Sequence, residues 1–254
     1  MANKLHFTAS NAPGAVQALR DLTARYGQIT AHEADVIIPI GGDGFMLQTI
    51  HAHMNTGQKI YGLNRGSVGF LMNEFTQHDL QERIAQAEEE TISPLAMTAE
   101  DIGGDIITAL AINEVSLFRQ SYQAAKIKIT VDAKTRLQEL VCDGIMVATP
   151  AGSTAYNLSA QGPIVPLHAP LLALTPVSPY RPRRWRGALL PNHVKVTFDI
   201  IEQSKRPVNA VADHTEVKSV RSVSVQLSSA HQATVLFDPN HSWDERILAE
   251  QFKY

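Results

Sequence analysis

The hydrophobic periodicity of this sequence changes near Ser93, and no other feature constrains the fold as strongly. Before Ser93, short β-branched runs such as Asp35–Ile40 alternate with segments in which apolar residues recur every three or four positions. This alternation is typical of a parallel sheet with right-handed helical crossovers. After Ser93, segments such as Lys126–Asp132 alternate with period two, which predicts half-buried antiparallel strands. The sequence therefore predicts an α/β domain with a parallel sheet over residues 1–93 and a β-rich, antiparallel, sandwich-like domain over residues 94–235.

Four segments within this pattern give predictions that a structure can test. We expect Glu82–Glu90 in one acidic helix and Ile106–Phe118 in one apolar strand. Val235–Phe237 is expected to be the last strand of the β-rich domain. The apolar spacing over Ser242–Phe252 predicts a helix, with which residues 236–254 pack back on the first domain.

Composition limits the partners that the chain can have. Its 254 residues carry a formal net charge of −3, which predicts no binding to nucleic acid or to an anionic membrane. The single cysteine, Cys142, cannot form an internal disulfide, and the first residues lack the apolar core of a signal peptide. No apolar run approaches the roughly 18 residues that cross a bilayer. We therefore expect a cytoplasmic protein without a membrane partner.

The first candidate site directly follows the predicted strand Asp35–Ile40. It consists of Gly41-Gly42-Asp43-Gly44, called here the glycine turn. Open α/β sheets bind ligands at the carboxyl ends of strands, and Gly41, Gly42 and Gly44 let the backbone approach a phosphate closely. Asp43 would repel a phosphate unless a cation bridges the two or the carboxylate takes a proton from a hydroxyl nucleophile. That combination suits phosphoryl transfer. The alternative is a tight strand-to-helix turn with Asp43 as helix N-cap.

A second candidate site follows the predicted strand Ile145–Ala148, where the chain becomes rich in small polar residues. Ser153 is expected to cap a short helix, which would leave the N–H groups of Thr154 and Ala155 free to bind a polar ligand. Tyr156 offers a flat ring for stacking on a base. The alternative is one capped helix with a tyrosine in the core.

The third candidate is the pair Asn113-Glu114 within an apolar strand. Adjacent side chains of a strand point to opposite faces, so the two polar groups cannot both face one core. An amide and a carboxylate could hydrogen-bond the edge of an adenine or a ribose hydroxyl. The pair by itself favours the alternative, a polar pair on an edge strand.

Taken in order, these segments resemble the NAD kinase family. The resemblance spans most of the chain, and its most specific part is the segment at 143–164, DGIMVATPAGSTAYNLSAQGPI. It implies an α/β domain followed by a β-rich domain, with a tail that returns to the first. The other matching segments are GGDG at 41–44, Asn-Arg-Gly-Ser-Val-Gly-Phe-Leu at 64–71, Asn113-Glu114, Leu174-Thr175-Pro176, and Asp213 within Val-Ala-Asp-His at 211–214.

The resemblance implies the transfer of a phosphoryl group from ATP, or from another phosphate donor, to the adenosine 2′-hydroxyl of NAD. Asp43 matches the family's catalytic aspartate, and the three glycines of the glycine turn are expected at the phosphates. The chemistry calls for Mg²⁺ or another divalent cation, although no residue is assigned as a metal ligand. A homodimer or homotetramer is expected. The positions that match NAD contacts are Gly44, Phe70, Asn113, Glu114, Asp143, Thr154, Ala155, Tyr156, Ser159, Asp213 and His214.

The sequence departs from the family pattern at several of these segments. Phe45 stands where a threonine usually follows the glycine turn, and Ala151 replaces a frequent threonine or serine. Cys142 precedes Asp143 where glycine is common, and His214 replaces a frequent glycine. These changes bear on the preference for the phosphate donor and on affinity.

Two questions stay open on the sequence alone. The segment 181–186 carries four arginines near Trp185, namely Arg181, Arg183, Arg184 and Arg186. The favoured interpretation is a solvated loop or a subunit contact, and the alternative is a site for a donor phosphate. The rival functions are a lipid kinase with the same glycine turn and an NAD sensor that has lost turnover.

Overall fold

The computed structural model describes residues 3–66, 69–183 and 185–239, together with 245, 246, 248 and 252. The chain divides into two compact units, one made of Met1–Ile92 with Ala230–Tyr254 and the other of Ser93–Ser229. No helix among the described residues is long and apolar enough to cross a membrane.

The structure resolves the chain into helices and strands that we number in chain order. The helices are α1 (Pro13–Tyr26), α2 (Asp43–His53), α3 (Leu80–Gln86) and α4 (Tyr156–Ser159), with short 3₁₀ turns at Ala31–Glu33 and Ala151–Thr154. The strands are β1 (Leu5–Ala9), β2 (Val36–Gly41), β3 (Lys59–Ile60), β4 (Leu63–Asn64), β5 (Glu88–Ile92), β6 (Leu95–Asp101), β7 (Ile106–Ala111), β8 (Glu114–Arg119), β9 (Ala125–Val131), β10 (Lys134–Cys142), β11 (Gly144–Ala148), β12 (Leu171–Val177), β13 (Ala188–Pro191), β14 (Val196–Ile200), β15 (Val208–Ala212), β16 (Thr215–Val217), β17 (Val220–Leu227) and β18 (Ala233–Phe237).

The first unit is built on a mostly parallel sheet with the order β1-β2-β3-β18-β5, and β4 also pairs with β2. Every residue of β2 is buried, as expected for a strand with a covered layer on each face. Its residues Val36, Ile38 and Ile40 share one core with apolar side chains of α1 and α3. Helix α1 has proline in its first turn and ends at Gly27, whose φ of 81° is one that a glycine adopts without strain. The α/β prediction is confirmed for this unit.

The predicted end of one helix and the predicted domain of one strand are wrong. The acidic helix ends at Gln86 rather than Glu90, because Glu88–Ile92 pairs antiparallel with β18 at the edge of the sheet. Val235–Phe237 belongs to β18 of this sheet, parallel to β3, rather than to the β-rich domain. Both errors have one cause: strand pairing between distant segments overrides local propensity.

The second unit consists of two six-stranded antiparallel sheets. Their orders are β10-β9-β14-β17-β6-β7 and β13-β12-β11-β8-β15-β16. Alternate residues of both sheets enter one core, for example Ile129 and Phe198 from the first sheet and Leu117 and Ile145 from the second. This is the arrangement of a β-sandwich, so the predicted fold class is confirmed.

The apolar segment 106–118 is two strands and not one. It breaks at Ile112-Asn113, so that β7 lies in the first sheet of the sandwich and β8 in the second. A strand that changes sheet needs a bend at the crossing point, and this bend places Asn113 and Glu114 where the two sheets meet.

Part of the predicted C-terminal helix lies outside the described residues. Of Ser242–Phe252 the structure describes only residues 245, 246, 248 and 252, and the first three are helical. The return of residues 236–254 to the first domain therefore stays a prediction as a whole.

Candidate active site

The glycine turn connects the carboxyl end of β2 to the start of α2. Gly42 is the N-cap in an extended conformation, and Asp43 is the first residue of the helix, so the alternative role of Asp43 as N-cap is wrong. The first main-chain bonds of the helix are donated by the N–H groups of Phe45 and Met46 to the carbonyl of Gly42. The N–H groups of Asp43 and Gly44 lie ahead of this ladder, and such groups are well suited to an anion.

The carboxylate of Asp43 is oriented by the main chain of a neighbouring loop. Its Oδ2 accepts the N–H of Phe70 at 2.7 Å, and its Oδ1 accepts the N–H of Leu71 at 3.0 Å. A Cβ at Gly69 would overlap Oδ1 and lie 2.6 Å from Cγ, so any larger residue at this position must displace the carboxylate. Because the carboxylate accepts one N–H at each oxygen, one lone-pair direction on each oxygen remains for a further partner.

The loop that holds Asp43 also packs against the glycine turn. The N–H of Arg65 donates to the carbonyl of Gly41 at 2.7 Å, and a Cβ at Gly66 would lie 3.5 Å from Cα of Gly42. Ser67 and Val68 of the same motif lie outside the described residues. The motif 64–71 therefore has a physical role here, because its backbone supports both the turn and the acid that the turn carries.

In the second unit, Asp213 supports the bend at Asn113. It lies in the turn between β15 and β16, and its two carboxylate oxygens accept the N–H groups of Ile112 at 2.7 Å and of Asn113 at 3.0 Å. The structure thus gives Asp213 main-chain partners, whereas contacts of Asp213 and the exposed His214 with NAD stay predictions.

Glu114 is a partly buried carboxyl of this unit whose surroundings shift its pKa. Its Oε2 is buried and has no hydrogen-bond partner among the described residues. Burial raises the pKa of the Glu114 carboxyl to about 7, and the negative charge of Asp213 adds to this rise. Near neutral pH the group can therefore either donate or accept a hydrogen bond. A buried carboxyl oxygen without a partner is what a binding site for a hydroxyl or an amine would present.

The 143–164 segment begins at the fully buried strand β11. Asp143 precedes the strand and accepts a bond from Nε of Arg119 at 2.6 Å. After the strand, Gly152 packs so closely on Asn113 that a Cβ would overlap the Asn113 carbonyl. Thr149 also links the end of β11 to the bend before β8, since its hydroxyl donates to the carbonyl of Ile112 at 2.7 Å. The predicted second and third sites are therefore one cluster.

The predicted helix cap in this segment is wrong. Ser153 is buried inside the 3₁₀ turn, where its hydroxyl donates to the carbonyl of Pro150 at 2.7 Å and accepts the N–H of Val165 at 3.0 Å. The N–H of Ala155 is not free either, because it donates to Gly152. Polar groups of residues 152–155 that local sequence rules assign to a ligand are therefore hydrogen-bonded within the protein.

Tyr156 lies outside the core. Its side chain is 39% exposed, and its ring lies 5.6 Å from the ring of Phe118 with a tilt of 46°. The alternative of a core tyrosine is therefore wrong, and the ring is available for stacking. The following residue, Asn157, is fully buried: it accepts the Thr175 hydroxyl at 2.6 Å and donates to the carbonyl of Pro163 at 2.9 Å.

Part of the arginine cluster lines a cavity of about 360 Å³ beside this segment. Arg183, Trp185 and Arg186 line it together with Ser159 and Gln161, and Arg186 donates to Oε1 of Gln161 at 3.2 Å. Arg184 lies outside the described residues. Both interpretations of the cluster therefore stay predictions.

Three residues that the sequence analysis did not single out support Asp43 or its loop. Gly69 touches the carboxylate itself, and its place in the motif 64–71 was the only local signal. Asn73 is fully buried, and its side-chain amide donates to the carbonyl of Leu236 and accepts the N–H of Asp238. Arg246 donates to the carbonyls of Phe70 and Met72. No local pattern marks the last two.

No group of three or more His, Cys, Asp or Glu side chains among the described residues could hold a metal ion. The carboxylate of Asp43 is the acidic group at the glycine turn. Mg²⁺ commonly needs only one or two carboxylates, because substrate phosphates and water supply its other ligands. The residues present fit a cation that arrives with a phosphate substrate.

The chain matches two family models and several curated relatives. The ATP-NAD kinase N-terminal domain matches residues 2–92, and the ATP-NAD kinase C-terminal domain matches residues 112–241. An NAD kinase of Brucella suis is 66% identical over 250 residues, which cover 98% of this chain and 97% of the relative. An NAD kinase of Mesorhizobium japonicum is 64% identical over 253 residues, which cover 100% and 98%.

Two solved structures share the fold. The yeast NADH kinase complexed with NADH has a TM-score of 0.84 and 19% identity, with 98% of this chain and 88% of that chain covered. An NAD kinase from Archaeoglobus fulgidus in complex with ATP has a TM-score of 0.76 and 20% identity, with 98% and 100% covered. Given the domain matches and the full-length relatives, the chain belongs to the ATP-NAD kinase family.

Proposed function

We propose that this enzyme uses the Asp43 carboxylate to orient the adenosine 2′-hydroxyl of NAD for attack on the terminal phosphorus of ATP. The observation that carries the proposal is the pair of main-chain bonds from Phe70 and Leu71, which set the direction of the carboxylate at the start of α2. The ligands of the two solved structures agree with it, since one protein is complexed with NADH and the other with ATP.

The proposed step is one in-line displacement. A bond forms between the 2′-oxygen and the terminal phosphorus, and the bond from that phosphorus to the bridging oxygen breaks, so that ADP leaves with the electron pair. The hydroxyl proton passes to Asp43 and then to solvent. A loose phosphoryl-transfer transition state needs little proton abstraction. Orientation of the hydroxyl is therefore the larger part of the role of Asp43.

The glycine turn supplies the setting for the phosphates. The N–H groups of Asp43 and Gly44 precede the helix ladder, and a Cβ at Gly44 would meet nothing within 4 Å, so there is open space for a ligand beside the helix start. The positive end of α2 favours negative charge there. A divalent cation that accompanies the triphosphate would be held from the protein side by Asp43, and it neutralises phosphate charge when bound.

The cluster around Asn113, Glu114 and Tyr156 is proposed to hold the adenosine half of NAD. The orphaned Oε2 of Glu114 supports this, because a ribose hydroxyl or an adenine amine would satisfy it. The exposed ring of Tyr156 supports stacking on a base. Asn113 directly precedes Glu114 at the bend, where Asp213 holds its main-chain N–H.

The decisive experiment is Asp43→Asn, assayed for NADP with NAD, ATP and magnesium. We expect kcat to fall at least a hundredfold while the Kd for NAD stays within a few-fold. Asp101→Asn is the matched control, because its carboxylate also accepts two main-chain N–H groups, those of Gly103 at 2.7 Å and Asp105 at 3.0 Å. Full turnover in Asp43→Asn would remove Asp43 from the chemistry.

The same assay on the wild type separates the rival functions. NADP formation supports the kinase, and NAD binding without product would support a sensor. Phosphorylation of a lipid without either would support the lipid kinase. The cytoplasmic location and the homodimeric or homotetrameric assembly stay predictions, of which the second can be measured by light scattering.

A further inference from the structure

The peptide groups of the short segment Phe70–Met72 make hydrogen bonds to charged side chains on both sides. On one side the N–H groups of Phe70 and Leu71 donate to the Asp43 carboxylate. On the other side a single guanidinium nitrogen, Nη1 of Arg246, donates to the carbonyl of Phe70 at 2.8 Å and to that of Met72 at 2.6 Å. The segment is thus a main-chain bridge between a cation and the proposed active-site acid.

Arg246 is itself held in place. Its guanidinium lies 5.4 Å from the ring centre of Phe237, within the range of a cation–π contact. Burial lowers the pKa of Arg246, while the charges of Asp43 and Asp238 raise it. The guanidinium therefore belongs to a partly buried electrostatic network with Asp43 and is not a surface charge.

The carboxyl end of the same loop is anchored separately. The N–H of Asn73 donates to the carbonyl of Gly62 at 2.8 Å, and its amide nitrogen donates to Leu236 at 2.9 Å. Its amide oxygen accepts the N–H of Asp238 at 3.0 Å. Asn73 thus fixes where the loop ends, whereas Arg246 acts on the peptides that contact Asp43.

We infer that Arg246 is a positioning residue for phosphoryl transfer, which holds the 70–72 peptides so that their N–H groups aim the Asp43 carboxylate. The inference rests on the proposed role of Asp43. A carboxylate free to rotate would present its lone pairs to the hydroxyl only part of the time, and small losses of orientation reduce rate strongly. Arginine suits the task because one nitrogen of its planar, charged guanidinium carries two N–H donors, which can hold two carbonyls in a fixed geometry.

The first test is kinetic. Arg246→Met keeps most of the apolar stem of the side chain but removes its donors, and we expect kcat to fall about tenfold to a hundredfold with KM for NAD within twofold. Arg246→Lys keeps the charge and some donors, so its kcat should lie between those of the methionine variant and the wild type. Arg206→Met is the matched control, because Arg206 also donates to a main-chain carbonyl, that of Ala124 at 2.6 Å, and should leave kcat unchanged.

The second test separates positioning from general destabilisation. Hydrogen exchange of the Phe70 and Leu71 amides, followed by NMR, should accelerate at least tenfold in the Arg246→Met protein, while the amides of β2 keep their protection. An unchanged kcat, or a lower kcat with unchanged protection at these two amides, would overturn the inference. If the methionine variant does not fold, the same criteria apply to Arg246→Lys.

The outcome also distinguishes this inference from the proposal beneath it. Full turnover in Asp43→Asn would refute the chemistry and the positioning role together. An inactive Asp43→Asn with an undiminished kcat in Arg246→Met would refute only the positioning role.

Discussion

Gly69→Ala should abolish most turnover without preventing NAD from binding, because the added methyl group overlaps the carboxylate of Asp43. A Cβ at Gly69 would lie 2.6 Å from Cγ of Asp43 and 2.8 Å from Oδ2. Ordinary contact begins at 3.4 Å, and Oδ1 would lie closer to the Cβ than either of these atoms, so the carboxylate must move by at least about 0.8 Å.

The size of the expected effect follows from that shift. A retreat of this length weakens the bonds from Phe70 and Leu71 and turns the carboxylate away from its set direction. Misplacement of a reacting group by about 1 Å costs roughly a hundredfold in rate. Overpacking of this kind destabilises a protein by about 1–3 kcal/mol, which leaves a domain of ordinary stability folded. We therefore expect kcat to fall about a hundredfold and the Kd for NAD to change less than threefold.

The assay is NADP formation at saturating NAD and ATP, with the Kd for NAD measured separately by calorimetry. Gly14→Ala is the matched control, since a Cβ there meets only Nη2 of Arg65, at 3.8 Å. It should leave kcat unchanged and raise the melting temperature slightly, because alanine is the better residue inside a helix. A folded Gly69→Ala protein with kcat within twofold of wild type would refute the idea that the orientation of Asp43 governs turnover.

The remaining predictions concern the second unit. Tyr156→Ala should weaken NAD binding about tenfold with little change in kcat at saturation, because stacking contributes about 1–3 kcal/mol per base, and an unchanged Kd by calorimetry would exclude the stacking role. Glu114→Gln should flatten the pH dependence of the free energy of unfolding. The wild-type carboxyl has a folded pKa raised from 4.5 to about 7, so the wild type loses stability relative to the variant as pH rises through this window. If wild type and variant show the same change in denaturation midpoint between pH 4.5 and 7, the raised pKa is contradicted. Arg183→Ala and Arg186→Ala, made together, should leave KM for ATP within twofold, as expected of a solvated loop, whereas a tenfold rise would assign the cavity to the donor phosphate.

Local patterns in the sequence were sufficient where the chemistry is local. The glycine turn was predicted between a buried strand and a helix, and the structure has it between β2 and α2. The period-two segments were predicted as antiparallel strands, and they are the strands of a sandwich. These predictions succeed because the alternation of side chains and the conformational freedom of glycine depend only on neighbouring residues.

The errors fall where a distant segment decides the outcome. Glu88–Glu90 has the composition of a helix, but pairing with β18 makes it a strand. Ser153 has the sequence context of an N-cap, but its hydroxyl accepts the N–H of Val165, twelve residues away.

The sequence by itself determined the fold class of each unit, the acid at the glycine turn and the segments that resemble the family, because each depends on residues that are close together along the chain. Only the tertiary structure decided what orients Asp43. The N–H groups of Phe70 and Leu71 reach it across 27 and 28 positions, and Arg246 supports them from 176 positions away. A main-chain N–H is present at almost every residue, so no sequence pattern can mark the two that a fold will bring to one carboxylate.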